Sequence, residues 1–163
     1  MSIGFEASLI LVEDIAVSRR FYEGLLGQKV ISDFGLNVTF AGGLSIWQAE
    51  RACRIIFDEA PAKKAGLGCD NIELHFEADD IDAALVLVQD AGTDIIHPIR
   101  EEPWGQRTFR CHDPDGHIVE VSEPMPVAIR RLFRAGHKPE HLVTRTGMPM
   151  EAILQAIGYP RFC

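Results

Sequence analysis

The 163-residue sequence predicts an α+β fold of two βαβββ modules followed by a small helical extension. Three observations carry that expectation. The stretches LVEDIAVSRRFYEGLLG, from Leu11, and EADDIDAALVLVQDAG, from Glu77, resemble each other: the end of a strand, an acidic pair, an amphipathic helix and a closing glycine. Each is followed by shorter runs with the character of strands. An apolar content of 47% with 25% charged residues is that of an ordinary globular chain long enough to bury a core.

In the first copy Asp14 can cap the helix, Val17, Phe21 and Leu25 fall on one face, and Gly27 can stop it. The runs KVISDF, NVTF and LSIWQ follow, then a loop-rich join from about Asp58 to Asp70. The second copy repeats the order. NIELHFEA is its first strand, Asp80 its cap, Ile81, Ala84, Leu85, Val88 and Ala91 its helical stripe, and Gly92 its stop. DIIHPI, RTFRC and HIVEV complete it. The last two are joined by the turn DPDG, where Pro114 presets φ and Gly116 tolerates the left-handed region. Two such modules, spanning 1–124, are expected to place their helices on one side of curved sheets and leave a cleft on the other. From Met125 to the end, PVAIRRLFRAG, PEHLVTRTG and PMEAILQAIG predict three short helices, each ended by glycine.

Charge separates these regions. Formal charge is −8, but six Lys or Arg stand against two acids after Pro124, so the 125–163 extension carries +4 and the remainder −12. The acidic body argues against nucleic acid as its partner. The tail either docks on an acidic surface or, since LVTRTGMPMEAI resembles the turn of a helix-turn-helix, serves a nucleic-acid-binding regulator; packing is the expectation. Runs such as SLILV and ALVLV are too short to cross a bilayer, and MSIGFEAS lacks a signal core, so a cytoplasmic protein without membrane partners is expected. Four cysteines without CxxC spacing are expected as reduced thiols.

Strand alternation assigns faces. With Ile72, Leu74 and Phe76 toward the helices, Glu73, His75 and Glu77 turn toward the cleft; with Val119 and Val121 in the core, Ile118, Glu120 and Ser122 do the same. Phe109 and Cys111 in the core leave Thr108, Arg110 and His112 on the cleft side. Matching Asp14 with Asp80 maps Glu73 onto Ala7, and matching Gly43 with Gly116 maps Glu120 onto Trp47, or onto Gln48 if the loop differs by one residue. His112 and His117 flank the turn and are expected at the surface.

VEDIAVSRRFYEGLLGQKV, FEADDIDAALVLVQDAG and WGQRTFRCHDPDGHIVEVSE, in that order and internally repeated, resemble the vicinal oxygen chelate superfamily of glyoxalase, bleomycin-resistance and extradiol-dioxygenase proteins. The resemblance implies paired βαβββ modules, frequent homodimers, and often one divalent metal held from the first and last strands of each module. Carried onto this chain, it implies Glu73 and Glu120 as catalytic groups and, with His75 and Gln48, as ligands for Zn, Ni, Mn or Mg. Ala7 and Trp47 cannot ligate, and an iron site of two histidines and a carboxylate is not supplied at the expected places. Solvated carboxylates are the alternative for Glu73 and Glu120. Trp47 and Trp104 either wall a small-molecule pocket or plug the core. Arg107 and Arg110 either hold an anion or pair with Glu101, Glu102 or the cleft acids. The expected function is a glyoxalase-like lyase or isomerase acting on a small oxygenated metabolite. Its rival is a metal-free binding or resistance-type protein of the same fold.

Overall fold

The computed structural model describes residues 7–57, 67–69 and 71–159. The chain forms two units: Met1–Glu73 with His112–Ile118, and Leu74–Cys111 with Val119–Cys163. The first contains β1 (Ser8–Val12), α1 (Ile15–Arg19), β2 (Val30–Asp33), β3 (Asn37–Phe40), β4 (Leu44–Gln48) and α2 (Ala49–Phe57). Its sheet runs in the order β1-β4-β3-β2, with β1 and β4 parallel and the other pairs antiparallel.

Asp14 starts α1 as expected, its carboxylate accepting from the N–H groups of Ala16 and Val17. The helix then continues into a π-helical segment, Arg20–Leu25. The wider turn changes which side chains face inward, so Phe21 and Tyr22 are both buried whereas Leu25 is only partly so. The rings of Phe21 and Tyr22 pack edge to face with centroids 5.0 Å apart, and the Phe40 ring from β3 lies 6.0 Å from that of Tyr22, centroid to centroid. Val12, Val38 and Ile46 complete this core from the strands.

One element departs from expectation. The residues after LSIWQ form helix α2, which starts without a break from β4. The amide oxygen of Gln48 accepts from Arg51 N–H at 2.9 Å and so serves the orphan donors of the first turn. The expected join from Asp58 to Asp70 lies outside the described residues except for 67–69.

The second unit repeats the pattern. It holds β5 (Glu73–Glu77), α3 (Ile81–Asp90), β6 (Ile95–Glu101), β7 (Arg107–His112) and β8 (Ile118–Ser122), in sheet order β5-β8-β7-β6. The identical order in both sheets is the structural form of the duplication. Asp80 caps α3 through Ala83 N–H, and Ile81 and Val88 are its buried residues. Phe109, Cys111, Val119 and Val121 are buried on alternate strand positions.

The extension forms α4 (Met125–Arg134), α5 (Pro139–Thr146) and α6 (Met150–Ala156). Pro126 and Pro139 occupy first-turn positions, where the missing N–H costs no helical bond. Ile129, Leu132, Leu142 and Ile153 form a small core of their own. Each fully buried aliphatic side chain of this kind contributes about 1.5–3 kcal/mol. The helices are also tied by charge to the β6–β7 loop. Arg131 donates to Glu101 Oε2 at 2.7 Å, to Gly105 O at 2.6 Å and to the buried carboxylate of Glu123, while Arg145 pairs with Glu101. Two of the tail's positive charges therefore meet acids of the module it follows. No helix among the described residues is long and apolar enough to cross a membrane.

Candidate functional site

One face of the second sheet is polar. β5, β8 and β7 are neighbours, and alternation sends His75, Ser122, Glu120, Thr108 and Arg110 to the side opposite Phe109, Cys111, Val119 and Val121. These groups form one connected network. His75 Nε2 lies 2.6 Å from Ser122 Oγ and 3.6 Å from Glu120 Oε1. The other oxygen of Glu120 accepts from Arg110 Nη2. Arg110 Nη1 donates to Glu102 Oε1 at 2.9 Å and lies 3.2 Å from His97 Nε2. The same Glu102 oxygen accepts from Thr108 Oγ1 at 3.0 Å and Arg100 Nε at 3.1 Å.

Burial and charge set the character of this face. Glu102, Thr108, Glu120 and Ser122 are buried, whereas the His75 side chain is 49% exposed. The hydrogen bond from Arg110 opposes burial and, with those from Arg100 and Thr108, holds the Glu102 carboxyl at about 2. Arg110 thus stands between two carboxylates. With its proton on Nε2, His75 would turn a donor toward Ser122 and Glu120 and keep the Nδ1 lone pair on a half-exposed ring.

The other expected residues are distributed differently. Arg107 does not join Arg110: alternation turns it to the opposite face, where it forms a bidentate pair with Asp82 of α3 at 2.7 and 2.9 Å. Trp104 lies in the β6–β7 loop, its indole N–H donated to Gln106 Oε1 at 2.8 Å and its surface 38% exposed. Glu73 begins β5 on the same side as His75 and is exposed. Trp47 belongs to the first unit, half-buried and opposite Asn37 in the β3–β4 register. That register matches the Arg110–Glu120 contact, since Asn37 and Trp47 are the repeat counterparts of Arg110 and Glu120. Gln48, engaged in capping α2, lines a groove of about 710 Å³ in the first unit with Leu36, Arg19, Arg51 and Arg54.

The DPDG turn holds a second buried cluster. Asp113 accepts from Tyr22 Oη at 2.6 Å and from the backbone N–H groups of Asp115 and His117 at 2.9 and 2.8 Å, with His117 Nδ1 at 2.9 Å. His117 is buried, not at the surface as expected; a carboxylate four residues earlier draws its ring inward. Burial pushes the Asp113 carboxyl up, but the bonds from His117 and Tyr22 prevail and hold it below the usual range. The spacing of Asp113 and His117 was a usable signal for this contact; nothing in the local pattern pointed to Tyr22.

A profile of the Glyoxalase-like domain matches residues 5–126. The chain belongs to this glyoxalase-like family. Among solved structures, a protein of unknown function from Agrobacterium tumefaciens is similar at 35% identity and a TM-score of 0.70, over 77% of this chain and 97% of that one. A glyoxalase/bleomycin resistance protein/dioxygenase from Nocardioides (21% identity, TM-score 0.59, 76% of this chain and 85% of that one) and a lactoylglutathione lyase from Agrobacterium tumefaciens (22%, 0.57, 76% and 95%) share the fold. No curated protein matches the chain. The family profile stops just inside α4, so nearly all of the helical extension lies beyond it.

The divalent ion that the resemblance implies does not fit the donors of this glyoxalase-like chain. Among the described residues no three His, Cys, Asp or Glu side chains gather as a ligand set. A guanidinium already occupies one oxygen of Glu120, and His75 Nε2 faces Ser122 and Glu120, so a cation there would meet a fixed positive charge. Gln48 caps a helix instead. Of the expected ligand set Glu73, His75, Glu120 and Gln48, the structure joins His75 and Glu120 in a hydrogen-bonded network centred on Arg110, leaves Glu73 exposed on β5 and places Gln48 in the first unit. The network's anchor, Glu102, was foreseen only as one partner among several for the arginines.

Proposed function

We propose that this protein is a glyoxalase-like lyase or isomerase that acts on a small oxygenated metabolite at the polar face of the second sheet, without a divalent ion. The observation that carries the reading is the His75–Glu120–Arg110–Glu102 chain, in which a half-exposed imidazole is backed by a carboxylate paired with a guanidinium.

In this mechanism His75 Nδ1 takes the proton from a hydroxyl-bearing carbon beside a carbonyl, and the C–H electron pair moves into the carbonyl to give an enediolate. Glu120 stabilises the imidazolium, as a carboxylate behind a catalytic histidine does. The role assigned to the guanidinium of Arg110 is to offset the enediolate charge. Transfer of the hydroxyl proton to the former carbonyl oxygen and return of the carbon-bound proton from His75 to the adjacent carbon complete an isomerisation. Glu73, on the same side of β5, is assigned to hydrogen-bond the substrate, and the exposed ring of Trp104 to cover it.

A panel of 2-hydroxyaldehydes and thiol adducts of 2-oxoaldehydes, incubated in D2O with chelator-treated protein, tests this by NMR. Deuterium is expected at the carbon next to the carbonyl. His75→Gln should lower that rate about 10²–10⁴-fold, the usual range for a general base, and Glu120→Gln less. Exchange that is equal in His75→Gln, or that appears only after metal is added, overturns the reading.

The partial exposure of Trp104 supports a second reading, binding of an organic molecule without turnover. Quenching of Trp104 emission by a compound that shows no deuterium uptake, lost in Trp104→Phe, would distinguish it.

A further inference from the structure

We propose that His137 and His141 form a two-histidine site for a borderline divalent transition cation, Zn²⁺ in particular, between the end of α4 and the first turn of α5. The site is independent of the polar face and rests on different residues.

Its geometry is held by the backbone on both sides. Past Gly136, whose φ of 97° ends α4, His137 N–H donates to Leu132 O at 3.2 Å, which fixes where its side chain starts. His141 stands on the first turn of α5, itself anchored by Leu142 in the extension's core. The two Nδ1 atoms face each other at 3.3 Å, with ring centroids 5.3 Å apart and the rings tilted by 46°.

That separation is long for an N–H donor bond, whose usual value is about 2.9–3.0 Å. It matches the span of roughly 3.3–3.4 Å between two nitrogens each about 2.05 Å from one tetrahedral ion. In the neutral pair one Nδ1–H can donate to the other ring; with both protons on Nε2, the two lone pairs converge on one point that a single cation can occupy. Imidazole nitrogen selects the borderline ions Zn²⁺, Ni²⁺ and Cu²⁺ over Mg²⁺ or Ca²⁺.

The remaining positions fall to water, because among the described residues no third His, Cys, Asp or Glu closes the site. Lys138 and the positive end of α5 work against a cation, so the affinity is that of an open site rather than a closed structural one. Binding links the last turn of α4 to the first turn of α5 and so stabilises the extension.

Untagged full-length protein, stripped with chelator, is titrated with ZnCl2 by calorimetry and thermal melting. A rise in Tm of roughly 5 °C is expected at about 100 times Kd, reversed by excess chelator. His137→Gln and His141→Gln, both surface changes, should each abolish the first binding step and the Tm shift, while His75→Gln keeps both. Absence of binding in the parent overturns the site. So does a titration that His141→Gln leaves unchanged, which would assign the metal to thiols or histidines elsewhere.

Discussion

Arg110 determines the electrostatics of its sheet face because it is one cation held between two buried acids. Removing it leaves Glu102 and Glu120 without their shared counter-charge in a poorly solvated place. Arg110→Met is therefore expected to destabilise the protein by about 3–5 kcal/mol, as loss of one partner from a buried ion pair does. Adding Glu102→Gln should restore part of that loss. Urea unfolding of the three variants checks this, and a cost under 1 kcal/mol for Arg110→Met alone would show the network to be solvent-screened. The inward orientation of Glu120, Ser122, Thr108 and Arg110 was legible in the sequence because a strand's period of two allows only two faces. Glu102 was legible only as one of several acids near the arginines. It lies past the end of β6, where the period stops, and only the turn through Pro103–Gln106 brings it back beneath Arg110. The Tyr22–Asp113 bond was hidden for a related reason, since it joins residues 91 positions apart through a π-helical turn.

Elements that carry their own start and stop signals were legible: both capped helices, the DPDG turn and the three helices of the extension. Helix α2 carried no such signal, because its first-turn donor is met by Gln48, outside the Ser, Thr, Asp and Asn set that marks most helix starts. The basic residues of the extension presented two options in the sequence, docking or nucleic-acid contact. Arg131 and Arg145 are used in docking, against Glu101 and Glu123. Gly105 permits the close approach: a Cβ there would stand 2.7 Å from Leu132 Cδ1, on a residue whose φ is 97°. The loop they hold also carries Trp104 and Glu102, so the extension supports the residues that hold Arg110. Arg131→Ala leaves the Glu123 carboxylate buried without its guanidinium, at an expected cost of about 1–3 kcal/mol. Trp104 emission should shift to the red as the loop loosens. Unchanged emission, with stability lost, would confine Arg131 to the helices and detach the extension from the polar face.

Over the whole molecule, with its formal charge of −8, the direction of pH dependence is set by the acids that depart from their ordinary values. Glu102, ordinarily near 4.5, lies at about 2, so its contribution is fully present above pH 4.5 and is lost as pH falls toward 2. Asp113 is also lowered, despite its burial, and its contribution disappears in the same sense below the ordinary 3.8. Asp115 has the opposite sign. Burial pushes its carboxyl up, against the bonds it accepts from Glu13 N–H and Ser18, so the folded state prefers it protonated. Its favourable contribution is present below 3.8 and is lost as pH rises through its folded value, which makes the buried charge a cost at neutral pH. Urea midpoints measured from pH 7 to pH 2.5 should therefore fall with acid, most steeply below 4.5, and Glu102→Gln should flatten that fall by lowering the midpoint at pH 7. Asp115→Asn keeps an oxygen for Glu13 N–H while removing the charge. It is expected to raise the midpoint at pH 7, and the gain should shrink to nothing as acid protonates the parent's own carboxyl; a gain that persists at pH 2.5 would mean that packing, not charge, is what the substitution relieves.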